Sequence, residues 1–181
     1  NKGFLGTQSD IGCFSLSVAK TVSSGQGGFL VTDNNKLAKK IRAMRTHGIE
    51  NVKDPKRWQM LGFNFRYTDV LASIAIEQLK KINERVAYLK FIYKHYEKGL
   101  LNTDFKLIPV NINSGEVPQY IECLVPRRDK WIKLFNKHSI ETRPFYPDIN
   151  TAKYLNCSQL SFKSSKLFAK RGIYLPCGPD Q

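Results

Sequence analysis

Acidic residues are scarce in this chain: 15 Asp and Glu stand against 29 Lys and Arg in 181 residues, a formal charge of +14. A surplus of that size suits an anionic partner, whether nucleic acid, a membrane surface or a phosphorylated small molecule. Long apolar runs are missing too. Nothing approaches the ~20 apolar residues that cross a bilayer, and the start, Asn1-Lys2-Gly3-Phe4-Leu5-Gly6, lacks the apolar centre of a secretory signal. The reading is a cytoplasmic protein with no membrane partner. Cysteine is sparse: residues 13, 123, 157 and 177 form no C-x-x-C pair, which points to reduced thiols, with neither a disulfide framework nor a metal site expected. What is present, 41% hydrophobic and 12% aromatic residues, is enough for a core and excludes disordered or collagenous classes. Asn1 in place of Met, and a turn-rich Leu175-Pro176-Cys177-Gly178-Pro179 just before Gln181, give the expectation of a chain cut at both ends.

Short β-prone runs at 11–15 and 29–32 flank a loop too rich in Gly and Ser for a regular element. Asp33 or Thr32 is placed to cap a helix with Leu37, Ile41 and Met44 as its apolar stripe and Gly48 at its end, its Lys and Arg forming a solvated face. From His47 to Tyr67 no period holds, so a long loop with four aromatics is expected. Thr68-Asp69 then caps a single helix over 69–99, with Leu71, Ile74, Ala75, Leu79, Ile82, Val86, Leu89 and Tyr93 at the 3.6 period. Strands are expected at 105–110, 120–125 and 140–143, and helices from Asp129 and over 165–171, a small α/β or α+β unit.

Lys20 stands out chemically. Small uncharged residues and Val18, Ala19 and Val22 surround it, with no carboxylate within nine residues on either side. An amine stripped of solvent becomes a neutral nucleophile near pH 7, as a Schiff-base lysine must. Read by composition alone, Lys20 is one more surface charge. The wording around it adds to the case: Asp10-Ile11-Gly12-Cys13-Phe14-Ser15, then Lys20, Gly25-Gln26-Gly27-Gly28-Phe29, Arg45-Thr46-His47-Gly48, Gly62-Phe63-Asn64-Phe65-Arg66-Tyr67-Thr68-Asp69, Ile140-Glu141-Thr142-Arg143-Pro144-Phe145-Tyr146-Pro147, and Leu175-Pro176. Several blocks in this order resemble the pyridoxal-phosphate-dependent sugar aminotransferases of the DegT/DnrJ/StrS group, through nearly the whole chain.

The resemblance implies an α/β fold, the C-terminal portion of a fold-type-I, aspartate-aminotransferase-like enzyme. The end of the large cofactor-binding domain would fill 1–68, a linking helix 69–99, and a small C-terminal domain 100–181. It implies pyridoxal 5'-phosphate as cofactor, held covalently by Lys20, with the Ser15 hydroxyl on its phosphate. Asn64 would reach the phosphate of the neighbouring subunit's cofactor, which makes the protein a homodimer. The implied reaction is amino transfer, with glutamate as donor, to a nucleotide-linked keto-hexose in amino-sugar biosynthesis. Because a dehydratase branch of the family has His where Lys20 stands, the lysine favours the aminotransferase branch. The family's front half supplies the partner of the pyridine nitrogen, so this chain alone is not expected to be competent.

Read without the family, Ser15 finishes a strand, Asn64 is a polar turn former, and the glycines at 25, 27 and 28 make a tight turn. The role of Arg66 is open. His47 reads as part of a helix C-cap, and His95 and His138 as ordinary histidines. Three positions depart from the family pattern and bear on the substrate: Gln26 stands where Glu is usual, Asn150 where a His is common, and Ser17 where an aromatic or His is often found. Two other readings compete: a basic module binding nucleic acid through the 36–45 face, which lacks any recognised nucleic-acid motif, and an inactive remnant that only dimerises.

Overall fold

The structure is a computed structural model that describes residues 3–53, 58–155 and 162–178; the expectations for Cys157, Pro179 and the two chain ends lie outside them. The chain divides into two compact units, Asn1–Ile82 and Asn83–Gln181.

In the first unit, β1 (Gly12–Ser15) and β2 (Gly28–Val31) form an antiparallel hairpin with Cys13 opposite Leu30, Phe14 opposite Phe29 and Ser15 opposite Gly28. The Phe14 and Phe29 rings stack at 4.9 Å. Helix α1 (Asn35–Arg45) follows. Its cap is Asn34, whose side chain accepts from the Lys36 and Leu37 N–H groups at 2.9 and 3.2 Å, in place of the expected Asp33 or Thr32. Thr32 is occupied elsewhere: its hydroxyl donates to the Asp10 carbonyl at 2.6 Å. The turn at Gly48 is forced, because a Cβ there would lie 1.9 Å from the Met60 carbonyl oxygen and one at Gly62 1.8 Å from the Gly48 nitrogen. Two glycine backbones in contact let the returning chain lie on the end of α1. The Phe63 N–H donates to Met44, the Phe65 N–H to Arg45 and the His47 N–H to Phe63. The described part of 46–68 holds no regular element, only a bridge between Thr46 and Asn64.

Thr68 caps α2 (Asp69–Lys80), its hydroxyl accepting from the Leu71 N–H. The single helix expected over 69–99 is two: α2 ends at Lys81, whose φ of −98° and ψ of 5° leave the helical region, and α3 runs over Ile82–Gly99. The apolar period continues across this one-residue break, and no Gly or Pro marks it.

In the second unit, β3 (Lys106–Leu107), β4 (Ile121–Leu124), β5 (Arg143–Pro144) and β6 (Gly172–Leu175) make an antiparallel sheet of order β3-β4-β6-β5. Helices α4 (Arg128–Lys137) and α5 (Lys163–Arg171) complete the unit. The core is Tyr93, Ile121, Cys123, Val125, Ile173 and Leu175, the inward-facing alternate residues of two paired strands against α3. Tyr93 satisfies its buried hydroxyl by donating to Ile108 and accepting from the Val110 N–H. The central strand β6 was not among the expected strands.

Candidate functional site

Ser15 closes β1 opposite Gly28, and the chain leaves it into the loop 16–27. That loop is pinned from within. The Leu16 N–H donates to Gly27 at 2.9 Å, the Ser24 N–H to Leu16 at 3.0 Å, and Ser17 bridges Gly25. The Ser15 hydroxyl donates to the Ser17 hydroxyl at 3.1 Å and accepts from the Ser17 N–H at 3.3 Å, while the Ser17 carbonyl accepts from the Lys20 N–H at 3.0 Å. Ser15 and Lys20 are thus joined through Ser17 in a short run of hydrogen bonds.

Ser15, Gly27 and Gly28 line a cleft of about 1080 Å³, with the hairpin on one side and Ala38, Ile41, Arg42 and Arg45 of α1 on the other. These four helix positions follow the spacing i, i+3, i+4, i+7, one face of a helix. Arg42 and Arg45 are exposed, as the expected solvated face requires, and they line the same cleft as Ser15. Among the described residues lining the cleft there is no carboxylate. A hydroxyl, a glycine-rich turn and two guanidinium groups make a donor set that fits a phosphate-bearing cofactor.

The desolvation expected for Lys20 is not supplied by its sequence neighbours. Lys20, Ala19 and Val18 are exposed, Val18 at 79%. Apolar neighbours along a turn point outward as readily as inward, so adjacency in sequence does not bury an amine.

Asn64 stays outside the cleft lining, exposed, with its side-chain oxygen accepting from Arg66 Nε at 3.0 Å. That bond supplies what the sequence left open for Arg66: it braces the amide. Around them Phe63 and Phe65 stack at 4.9 Å and, with Trp58 and Leu61, remain exposed. Tyr67, which the 62–69 block leaves without a role, and Ser24 make a further contact: the Tyr67 hydroxyl meets the Ser24 hydroxyl, and Ser24 is 3% exposed.

The remaining candidates fall outside this assembly. His47 has φ 57° in the turn that ends α1, a cap role. His95 packs on Phe91, and His138 caps α4. Asn150 is buried in a 3-10 turn, Ile149–Thr151. Burial pushes the Cys123 thiol up to about 11 and raises the Glu122 carboxyl above its ordinary value.

Comparison with known proteins gives a match to the model of the DegT/DnrJ/EryC1/StrS aminotransferase family over residues 2–181. The GDP-perosamine synthase of Caulobacter vibrioides is 28% identical over 182 residues, which cover 94% of this chain and 48% of that protein. Among solved structures, the aminotransferase TlmJ from Streptoalloteichus hindustanus superposes with a TM-score of 0.88 at 20% identity, over 97% of this chain and 49% of its own. The Escherichia coli GDP-4-keto-6-deoxy-D-mannose-3-dehydratase with bound hydrated PLP gives 0.80 at 18%, over 98% and 52%. The chain spans about half the length of the relatives it matches, and its fold is that of a portion of these enzymes.

Proposed function

The chain belongs to the DegT/DnrJ/EryC1/StrS aminotransferase family, and from that premise we propose that its protein transfers an amino group from glutamate to the keto carbon of a nucleotide-linked hexose, in the cytoplasm, with pyridoxal phosphate as cofactor. The observation that carries this reading is the hydrogen-bonded run from Ser15, which lines a cleft with Arg42 and Arg45, through Ser17 to the backbone of Lys20. A hydroxyl donor for the phosphate and an amine for covalent attachment stand five residues apart on one braced loop.

Lys20 would hold the cofactor through its amine and would serve as the base and then the acid that moves a proton at the substrate carbon. Ser15 donates to the phosphate. Asn64, outside its own subunit's cleft and presented by an exposed aromatic loop, serves the site of a second copy, so the working form is a homodimer. When bound, the cofactor supplies an electron sink. With about half of a relative's length present, the 181-residue chain alone binds the cofactor weakly.

The test is an assay with glutamate and a panel of nucleotide-linked keto-hexoses, using the longest natural polypeptide that contains this chain. Amino sugar and 2-oxoglutarate in equal amounts support the reading. A deoxygenated keto-sugar with no nitrogen incorporated, or no product from the whole panel, overturns it.

A further inference from the structure

The loop that carries Lys20 is held at its far end by a residue outside it. Tyr67 precedes the cap of α2, and its ring packs on Gly27, where φ is +103° and a Cβ would lie 2.4 Å from the ring. A side chain at 27 would therefore displace the ring. The phenol reaches the buried Ser24 hydroxyl and lies 3.1 Å from the Leu71 carbonyl in the first turn of α2. The Ser24 hydroxyl donates in turn to Gln26 at 2.7 Å, and its N–H donates to Leu16. From Leu16 the chain of contacts runs to the Ser17 carbonyl that accepts from Lys20.

Three partners converge on this one phenol: a glycine of the loop, the loop's buried serine and the start of α2. A surface tyrosine needs none of them. Asn64 lies three residues upstream, so the segment that presents Asn64 also grips the loop of Lys20.

We propose that Tyr67 is a positioning residue that clamps the lysine-bearing loop to the start of α2, fixing the backbone from which Lys20 reaches its cofactor. The clamp is independent of what Lys20 does; its bearing on catalysis rests on the function proposed above.

The clamp is tested in the 181-residue chain by amide hydrogen exchange of Tyr67→Phe, which keeps the ring and removes only the hydroxyl. Exchange at Leu16 and Ser24 is expected to quicken about tenfold, the weight of one lost hydrogen bond, while Ile41 of α1 and Ile173 of β6 keep their rates. Tyr67→Leu, which removes the ring as well, is expected to quicken it further. Unchanged Leu16 and Ser24, or an equal rise at Ile41, overturns the clamp. Its catalytic bearing is read in the full-length, cofactor-loaded protein. Tyr67→Phe is expected to move the pH midpoint of the lysine–cofactor absorbance and to lower kcat several-fold, with KM for the sugar nucleotide unchanged. Faster loop exchange with midpoint and kcat unmoved would overturn that bearing. A wild-type protein that transfers no amino group defeats the proposed function instead, and leaves the clamp to be judged by its amides.

Discussion

Ser15 is the residue whose proposed role needs least rearrangement, because its hydroxyl already sits at the strand end with a neutral partner, Ser17, that a phosphate can replace. A hydrogen bond to a charged group contributes about 1.5–3 kcal/mol, so Ser15→Ala should weaken pyridoxal phosphate binding tenfold or more in the full-length protein, measured by equilibrium titration of the cofactor absorbance. Cys13 and Cys123 give a second residue-level test. Cys13 is exposed, whereas Cys123 is fully buried with its thiol pushed up from 9.0 to about 11. A thiol reagent at pH 8 should modify Cys13 and leave Cys123 intact until the protein unfolds. Because the unfolded chain releases the Cys123 proton first, the stability contributed by the neutral thiol is complete below pH 9. It declines as pH rises toward 11, and denaturant midpoints across that window will show a fall that Cys123→Ala removes. Sequence made Ser15 and Lys20 legible as a pair, since both sit in one local block. Tyr67 and Ser24 were not legible, because 43 residues separate the two hydroxyls that meet.

Elements were read well where a period or a cap states them locally and poorly where tertiary pairing decides. Helices α1, α4 and α5 and the hairpin fall close to their expected places, and 46–68 is a loop among its described residues. The strand β6 escaped notice because its last residue, Leu175, opens the stretch 175–179 that reads as turn-rich; its place is set by pairing with both β4 and β5, a long-range fact. The break at Lys81 escaped for the opposite reason, an apolar period that continues through it. The contact of Gly48 with Gly62 gives a prediction of its own. A methyl at 62 meets backbone at 1.8 Å, so Gly62→Ala must push the 59–65 segment off the end of α1. The first unit should lose a few kcal/mol and the melting temperature should drop. The Phe63 and Phe65 amides, which bond to Met44 and Arg45, should lose their protection from hydrogen exchange, while the amides of β4 and β6 should keep theirs.

At the scale of the whole molecule, the claim that Asn64 acts across a subunit boundary distinguishes a dimeric enzyme from two independent chains. Mixing full-length Lys20→Ala with full-length Asn64→Ala should restore activity, because in a mixed dimer one site collects both lesions and the other collects neither. No recovery would mean that Asn64 serves its own subunit. The proposed amino transfer depends on one covalent bond, however, and that bond can be fixed chemically. Full-length protein is loaded with pyridoxal phosphate, reduced with borohydride, digested and mapped by mass spectrometry. The pyridoxyl group is expected on Lys20, in the peptide that begins after Lys2, whose next basic residue is Lys20 itself. A pyridoxyl group on any other lysine, with Lys20 unmodified, would contradict it.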